Sequence, residues 1–194
     1  LLTSLYKNQI IPNHRQKKLI QCGWWVVHLR MTGHFQLNKK PTKPCPYTRI
    51  SLWNKKGFEL RFIDIRSFGQ MWWTPSNIDP KEAIKGLKNL GPEPFSKEFN
   101  STYLKQCLKG RVRTIKSSLL DQSLIAGVGN IYADETLFEA GILPQKKSGE
   151  LKNHELEKLC KNLREVLHKS IKEGGTTFSD FRNLEGLNGN YSDQ

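Results

Sequence analysis

The chain predicts an α+β fold, with a β-rich first half followed by an all-helical second half. Three observations carry that expectation. Between Trp24 and Trp73 the sequence offers short runs of β-branched and aromatic residues separated by polar turns. After Pro75 the apolar residues recur at helical spacing instead. Between the two, Leu90-Gly91-Pro92-Glu93-Pro94 reads as a rigid linker. The expected divisions are a β domain at 1–78, a linker with a short helix at 79–95, and a helical domain at 96–194.

Taken in order, residues 1–20 give weak strand signals around a loop at Pro12–Lys18. Trp24–Arg30 is a strand whose alternation puts Trp25, Val27 and Leu29 on one face. Thr48–Trp53 and Phe58–Ile63 form a hairpin across the four-residue turn Asn54-Lys55-Lys56-Gly57. Gln70–Trp73 is a further strand, closed by Pro75. Connections this short favour antiparallel pairing over βαβ crossovers. Asp79–Leu87 is a short helix with Pro80 at its first position. Lys97–Leu108 is a second, with Ser96 as cap and Gly110 as stop. Leu119–Pro144 holds a helix pair around Ala126-Gly127-Val128-Gly129. Glu155–Ile171 closes the series, with Leu156, Leu159, Cys160, Leu163, Leu167 and Ile171 on one stripe. Neither half is expected to have a large core.

Charge narrows the partner class. The chain carries 31 Lys+Arg against 18 Asp+Glu, a formal charge of +13, which is a footprint for nucleic acid or an anionic surface. The excess is uneven, since residues 1–64 hold only Glu59 and Asp64 as acids. No apolar run approaches the roughly 18–20 residues that span a bilayer, so no membrane partner is expected. Cys22, Cys45, Cys107 and Cys160 are too scattered for a zinc site, and no metal site is assigned. They read as thiols in a reducing compartment. His14, His34, His154 and His168 read as surface or capping groups.

Gly127 and Gly129 precede Asn130, where a helix should begin. First-turn N–H groups lack internal acceptors and attract anions. Lys109, Arg111, Arg113 and Lys116 lie just upstream, so a polyphosphate backbone is the natural guest; the alternative is a helical hairpin with a solvated basic face. Two more segments pose a similar choice. Met31 follows a strand at the glycine turn His28–Gly33, and is either a wedge between stacked bases or a filler of a local core gap. Arg66 and Phe68 point the same way if extended, either toward nucleic acid or as a surface Arg beside a core Phe. No paired carboxylates stand out; Asp64 and Asp134 remain single acids, and Asp121 is expected in the polar network of the helical turn.

At this point a resemblance emerges. HLRMTG at 28–33, DIRSFG at 64–69, LGPEPFS at 90–96, IKSSLLDQSLIAGVGNIYADETLFEAGILP at 115–144 and GGTTFSDF at 174–181 follow the order seen in bacterial formamidopyrimidine-DNA glycosylases. GWWVVHLRMTG and GQMWW resemble cyanobacterial members most. The resemblance covers residues 20–191. It implies an antiparallel β-sandwich, here incomplete, followed by a helical domain with a helix–two-turn–helix motif, the two clasping damaged duplex DNA. In the family an oxidised purine (a formamidopyrimidine or 8-oxoguanine) is flipped out and excised, and the strand is nicked by β,δ-elimination.

Position by position, Met31, Arg66 and Phe68 resemble the trio that fills the gap left by the flipped nucleotide. Lys116 and Asn130 resemble the phosphate clamps, and Arg111 a further backbone contact. Tyr47 stands where many relatives carry a DNA-contacting His, a departure from the pattern. Gly175, Thr176, Thr177 and Tyr191 fall in the region that resembles the base-binding loop. The family's nucleophile is the amine of an N-terminal proline followed by glutamate, and its structural zinc sits in a four-cysteine finger after Gly-Asn-Tyr. Neither segment is in this stretch, which opens on Leu1-Leu2-Thr3-Ser4. The expectation is therefore a DNA-binding piece of a repair glycosylase and lyase, without the chemistry as it stands, a monomer in the bacterial cytoplasm at the nucleoid. The alternative is a natural non-catalytic binder of damaged or abasic DNA.

Overall fold

The computed structural model describes residues 2–10, 17–39, 42–175 and the single positions 184, 189 and 191, with side chains from Cys22 onward. The chain divides into two compact units, Leu1–Ile84 with Glu173–Gln194, and Lys85–Lys172. The first division thus falls six residues after the expected 78, and the described residues from Glu173 onward group with the sheets rather than the helices.

Two three-stranded antiparallel sheets build the first unit. One has the order β1 (Leu2–Ile10), β2 (Lys17–His28), β6 (Gln70–Pro75); the other has β3 (His34–Asn38), β5 (Glu59–Ile63), β4 (Thr48–Trp53). Antiparallel pairing holds throughout, including the hairpin of β4 and β5. Its turn is built as the sequence suggests: Gly57 takes φ +81°, and the Asn54 carboxamide accepts from the Lys56 and Phe58 amides. The sequence reading missed β3, whose five residues directly after a glycine turn are too few for a periodic signal. The sheets face each other through rings. Trp25 of β2 meets Phe35 of β3 edge-on at 5.6 Å between centroids, and Phe35 meets Phe62 of β5 at 5.4 Å. Val26 and Val27 are both buried, so β2 is covered on both faces instead of showing the single apolar face expected. Glu59 and Arg61, two apart on β5, form a buried ion pair at 2.6 Å. Arg61 also donates to the carbonyls of Thr42 and Lys43, which fixes the segment entering β4.

The helical unit is better packed than its sequence suggests. Phe99, Leu104, Ile115, Ile125, Leu137 and Leu163 have no exposed surface, and they belong to one continuous core. A large core is therefore present, contrary to expectation, because α3 (Ser101–Leu108), α4 (Ile115–Leu119), α5 (Asn130–Ala140) and α6 (Asn153–Lys172) all turn apolar residues onto it. The stripe of α6 is buried through Leu163 but leaves the core by Ile171, which is 65% exposed. The expected helix at 79–87 is two single turns, α1 (Pro80–Ala83) and α2 (Lys85–Lys88), and Asp79 caps the first by accepting from the Lys81 amide. Helix α3 starts four residues later than expected. Its cap is Asn100, which accepts from the Tyr103 amide, and not Ser96. The reason is tertiary: Arg164 of α6 donates to the carbonyls of Pro94, Ser96 and Phe99, which holds that stretch open. Residues 90–96 are thus pinned into the helical unit, with the Gly91 amide bonded to the Gln122 carbonyl at 2.8 Å and the Ala126 amide to Pro92 at 3.1 Å.

Candidate nucleic-acid interface

In the sheet unit two loops meet, the turn from β2 to β3 that carries Met31 and the turn from β5 to β6 that carries Arg66 and Phe68. Asp64 joins them. It is 1% exposed, accepts from the Thr32 hydroxyl at 2.5 Å and from the Gly69 amide at 2.7 Å. Thr32 Oγ1 in turn accepts from the Arg66 amide at 3.1 Å. One buried carboxylate therefore ties both loops at their roots. Burial pushes its pKa up, but the Thr32 hydroxyl and the amides of Gly69, Ser67 and Arg66 outweigh this and hold it below the ordinary value. A side chain at Gly69 would meet the Phe62 ring and Asp64 itself, so only glycine lets the loop close on the carboxylate.

The loop tips are strained outward. Arg30 and Ser67 take φ +57° and +58°, a left-handed conformation that costs a non-glycine residue about 1 kcal/mol or more. Arg30 is held by its amide on His28 Nδ1 and its guanidinium on Gln70 Oε1 at 2.8 Å. The result is that Met31 is 72% exposed and Phe68 54%, which removes the core-filling alternatives for both. The three candidate residues touch: Arg66 lies 3.2 Å from the Met31 sulfur and 4.9 Å over the Phe68 ring. Met31 and Phe68 border a cleft of about 650 Å3 together with Arg30, Ser67, Gly69 and Gln70. Two large apolar side chains around a fixed guanidinium, standing in water, suit insertion between flat aromatic surfaces. Tyr47 stands by the root of this loop, its carbonyl accepting from the Asp64 amide while the residue remains 45% exposed. Arg49, which the sequence reading passed over, donates to the carbonyls of Asp64 and Ile65 and buttresses the same root.

The helical unit presents the second set. Thr114 caps α4 by accepting from the Ser117 amide. A tight turn then leads to α5, with Gly127 at φ +83°. Gln122 clamps that turn, donating to the Val128 carbonyl at 2.8 Å and accepting from the Gly127 amide at 2.8 Å. The cap of α5 is Gly129, with no side-chain bond, and Asn130 is the first helical residue. Glycine suffices there because the turn itself sets the entry angle, and the exposed Asn130 side chain is left out of the capping.

The cations upstream are less open than their sequence suggests. Asp121 accepts from Arg113 at 2.6 Å and lies 4.0 Å from Arg111, while Arg113 also donates to Ser118. Lys116 pairs with Asp134 of α5 at 2.8 Å. Asp121 belongs, as expected, to the polar network of the turn, accepting from the Ser123 amide and hydroxyl as well. The Ser123 hydroxyl and the Arg113 guanidinium hold its carboxyl at about 2, against an ordinary 3.8. A carboxyl whose pKa is depressed by folding stabilises the fold above its unfolded value, and that stability is lost as pH falls toward the folded value. Asp121→Asn should therefore cost about 2 kcal/mol at neutral pH. The gap to the parent protein should close as pH falls from about 4 to about 2. Urea unfolding followed by helical circular dichroism measures it, and a difference that does not change with pH would contradict the assignment.

Of the base-binding candidates, the Gly175 carbonyl accepts from the Tyr191 amide at 3.2 Å, while Thr176 and Thr177 lie outside the described residues. Among the described residues no group of three or more His, Cys, Asp or Glu is arranged for a metal ion. The four thiols are unpaired and dispersed, which does not fit a four-cysteine zinc site. No helix among the described residues is long and apolar enough to cross a membrane.

Comparison with known proteins covers both units. Residues 11–71 match the formamidopyrimidine-DNA glycosylase N-terminal domain, and residues 90–182 match the formamidopyrimidine-DNA glycosylase H2TH domain. The chain is 68% identical over 172 residues to the formamidopyrimidine-DNA glycosylase of Prochlorococcus marinus strain MIT 9211, covering 89% of this chain and 60% of that protein. Its fold is similar to the MutM (Fpg) protein of Thermus thermophilus, with a TM-score of 0.79 and 38% identity over 91% of this chain and 64% of the other. It is also similar to Lactococcus lactis Fpg in complex with DNA containing an abasic site, with a TM-score of 0.78 and 27% identity over 91% of this chain and 64% of that one.

Proposed function

Because the chain belongs to the formamidopyrimidine-DNA glycosylase family, we propose that it is the lesion-reading and DNA-holding part of a base-excision repair enzyme that removes oxidised purines from duplex DNA and cleaves the resulting abasic site. The chain spans 60% of the length of the Prochlorococcus relative, so the bond-breaking steps are carried here as the family's chemistry and not routed through any described residue. The division of labour follows from the two sets of side chains. Lys116, Asn130 and Arg111 address phosphates, which positions the duplex without reading its sequence. Met31, Arg66 and Phe68 enter the stack where a nucleotide has left it. Gly175, Thr176, Thr177 and Tyr191 are the candidates for holding the extruded base, and Tyr47 for a further DNA contact. The protein acts as a monomer at the bacterial nucleoid.

One observation supports this reading above the others: Met31 and Phe68 are held far out of the core by two strained turns that a single buried Asp64 joins. A protein that is merely basic has no use for such exposed apolar side chains. Fluorescence anisotropy with a duplex bearing a tetrahydrofuran abasic analogue, beside an undamaged duplex, tests it. Binding should fall steeply between 50 and 200 mM salt, as phosphate neutralisation requires. Lys116→Ala should weaken both duplexes alike. Met31→Ala should weaken the abasic duplex roughly tenfold or more, the worth of a buried apolar side chain, and barely touch the undamaged one. Equal losses with Met31→Ala would remove the wedge, and affinity flat across that salt range would remove DNA as the partner.

A further inference from the structure

The Lys116–Asp134 pair crosses the helix–two-turn–helix, from the first turn of α4 to the second turn of α5. Asp134 lies four residues after Asn130, so the two stand one above the other on the same face of α5. An acid therefore sits beside both phosphate-clamp candidates and already holds the ammonium of one of them. The side chains are 34% and 50% exposed, so the pair is weak enough to open. Asp134 is not needed for the packing of α5, which buries Ala133, Thr136, Leu137 and Ala140 instead. The other acids of α5, Glu135 and Glu139, are also exposed, but neither is ion-paired to Lys116.

Resting on the DNA-binding reading above, we propose that Asp134 is a built-in counter-charge that competes with DNA phosphate for Lys116 and so sets how tightly the protein holds any duplex. In the free protein Asp134 takes the place a phosphate would occupy on Lys116. Binding exchanges one anion for the other, and the net gain from Lys116 is correspondingly small. Because phosphates carry no sequence information, the effect is the same for damaged and undamaged DNA. A repair protein that must leave undamaged sites quickly benefits from such a brake, since it lowers overall grip without touching lesion preference.

Asp134→Asn keeps the size of the side chain and removes its charge. Anisotropy titrations of the 194-residue chain should show roughly two- to fivefold tighter binding of both the abasic and the undamaged duplex, with their ratio unchanged. The slope of log K against log salt should steepen by up to about 0.9, the share of one phosphate contact. In a Lys116→Ala background the same substitution should change little, because the competition acts through Lys116. Weaker binding by Asp134→Asn would mean that Asp134 orients Lys116 and would overturn the proposal. So would an undiminished gain in the Lys116→Ala background, which would mark simple repulsion of the phosphate. If the parent chain itself fails to bind either duplex, the DNA-binding reading falls, an outcome distinct from a parent that binds and a variant that does not differ from it.

Discussion

An Asn130→Asp protein should keep its stability and lose its grip on duplex DNA. Asn130 is the first residue of α5, and Gly129 provides the cap without any side-chain bond, so the Asn130 carboxamide has no capping role to forfeit. A carboxylate at that position even complements the positive end of the helix, which is worth about 0.3–1 kcal/mol. Toward a phosphate the same carboxylate is repulsive, and like charges brought together in an interface cost several kcal/mol. The expected loss is thus roughly thirtyfold or more for abasic and undamaged duplex alike, with the thermal midpoint unchanged or slightly raised. Anisotropy and a thermal melt on the same preparation decide the matter. A folded Asn130→Asp protein with parental affinity would show that Asn130 does not face a phosphate.

Asp64→Asn should be the most damaging single change in the sheet unit. The carboxylate serves the Thr32 hydroxyl and the loop amides from a position that is 1% exposed. An Asn amide group would present donors to donors there. Losing charge-assisted bonds and leaving buried amides unpaired costs about 2–4 kcal/mol. All five tryptophans, Trp24, Trp25, Trp53, Trp72 and Trp73, lie in this unit, so tryptophan fluorescence during urea unfolding reads it selectively. The deficit should be full above the ordinary Asp pKa of roughly 3.9 and shrink as pH falls below it, because folding lowers the Asp64 pKa. With the two loops no longer tied, preference for abasic over undamaged duplex should also fall at least as far as in Met31→Ala. An unchanged midpoint would show that the loops hold their shape without the carboxylate.

The candidate site was legible in the sequence as residue types but not as states. Met31 and Phe68 could be named from their motifs, yet whether each was a core filler or an exposed wedge turned on the turns beneath them. Nothing local in the sequence announces that Arg30 and Ser67 take positive φ, or that Asp64, 32 residues from Thr32, knits the two loops. The basic run from Lys109 to Lys116 looked like an open cationic patch. In the folded chain Asp121 and Asp134 neutralise much of it, and the second of these lies 18 residues away from its partner.

What the sequence by itself determined is whatever depends on near neighbours: antiparallel strands joined by short turns, the Asn54–Gly57 hairpin, the glycine turn into α5, the long amphipathic α6 and the order of motifs that marks the family. These follow from side-chain period and backbone freedom within a few residues. The tertiary structure alone decided where α3 begins, because Arg164 takes the carbonyls of Pro94, Ser96 and Phe99. It decided that β2 is buried on both faces, because sheets pack and strand order is set at a distance. It also decided which charges remain available to an incoming phosphate. Hydrogen bonds and ion pairs between distant segments form only once the chain has collapsed, and no local pattern records them.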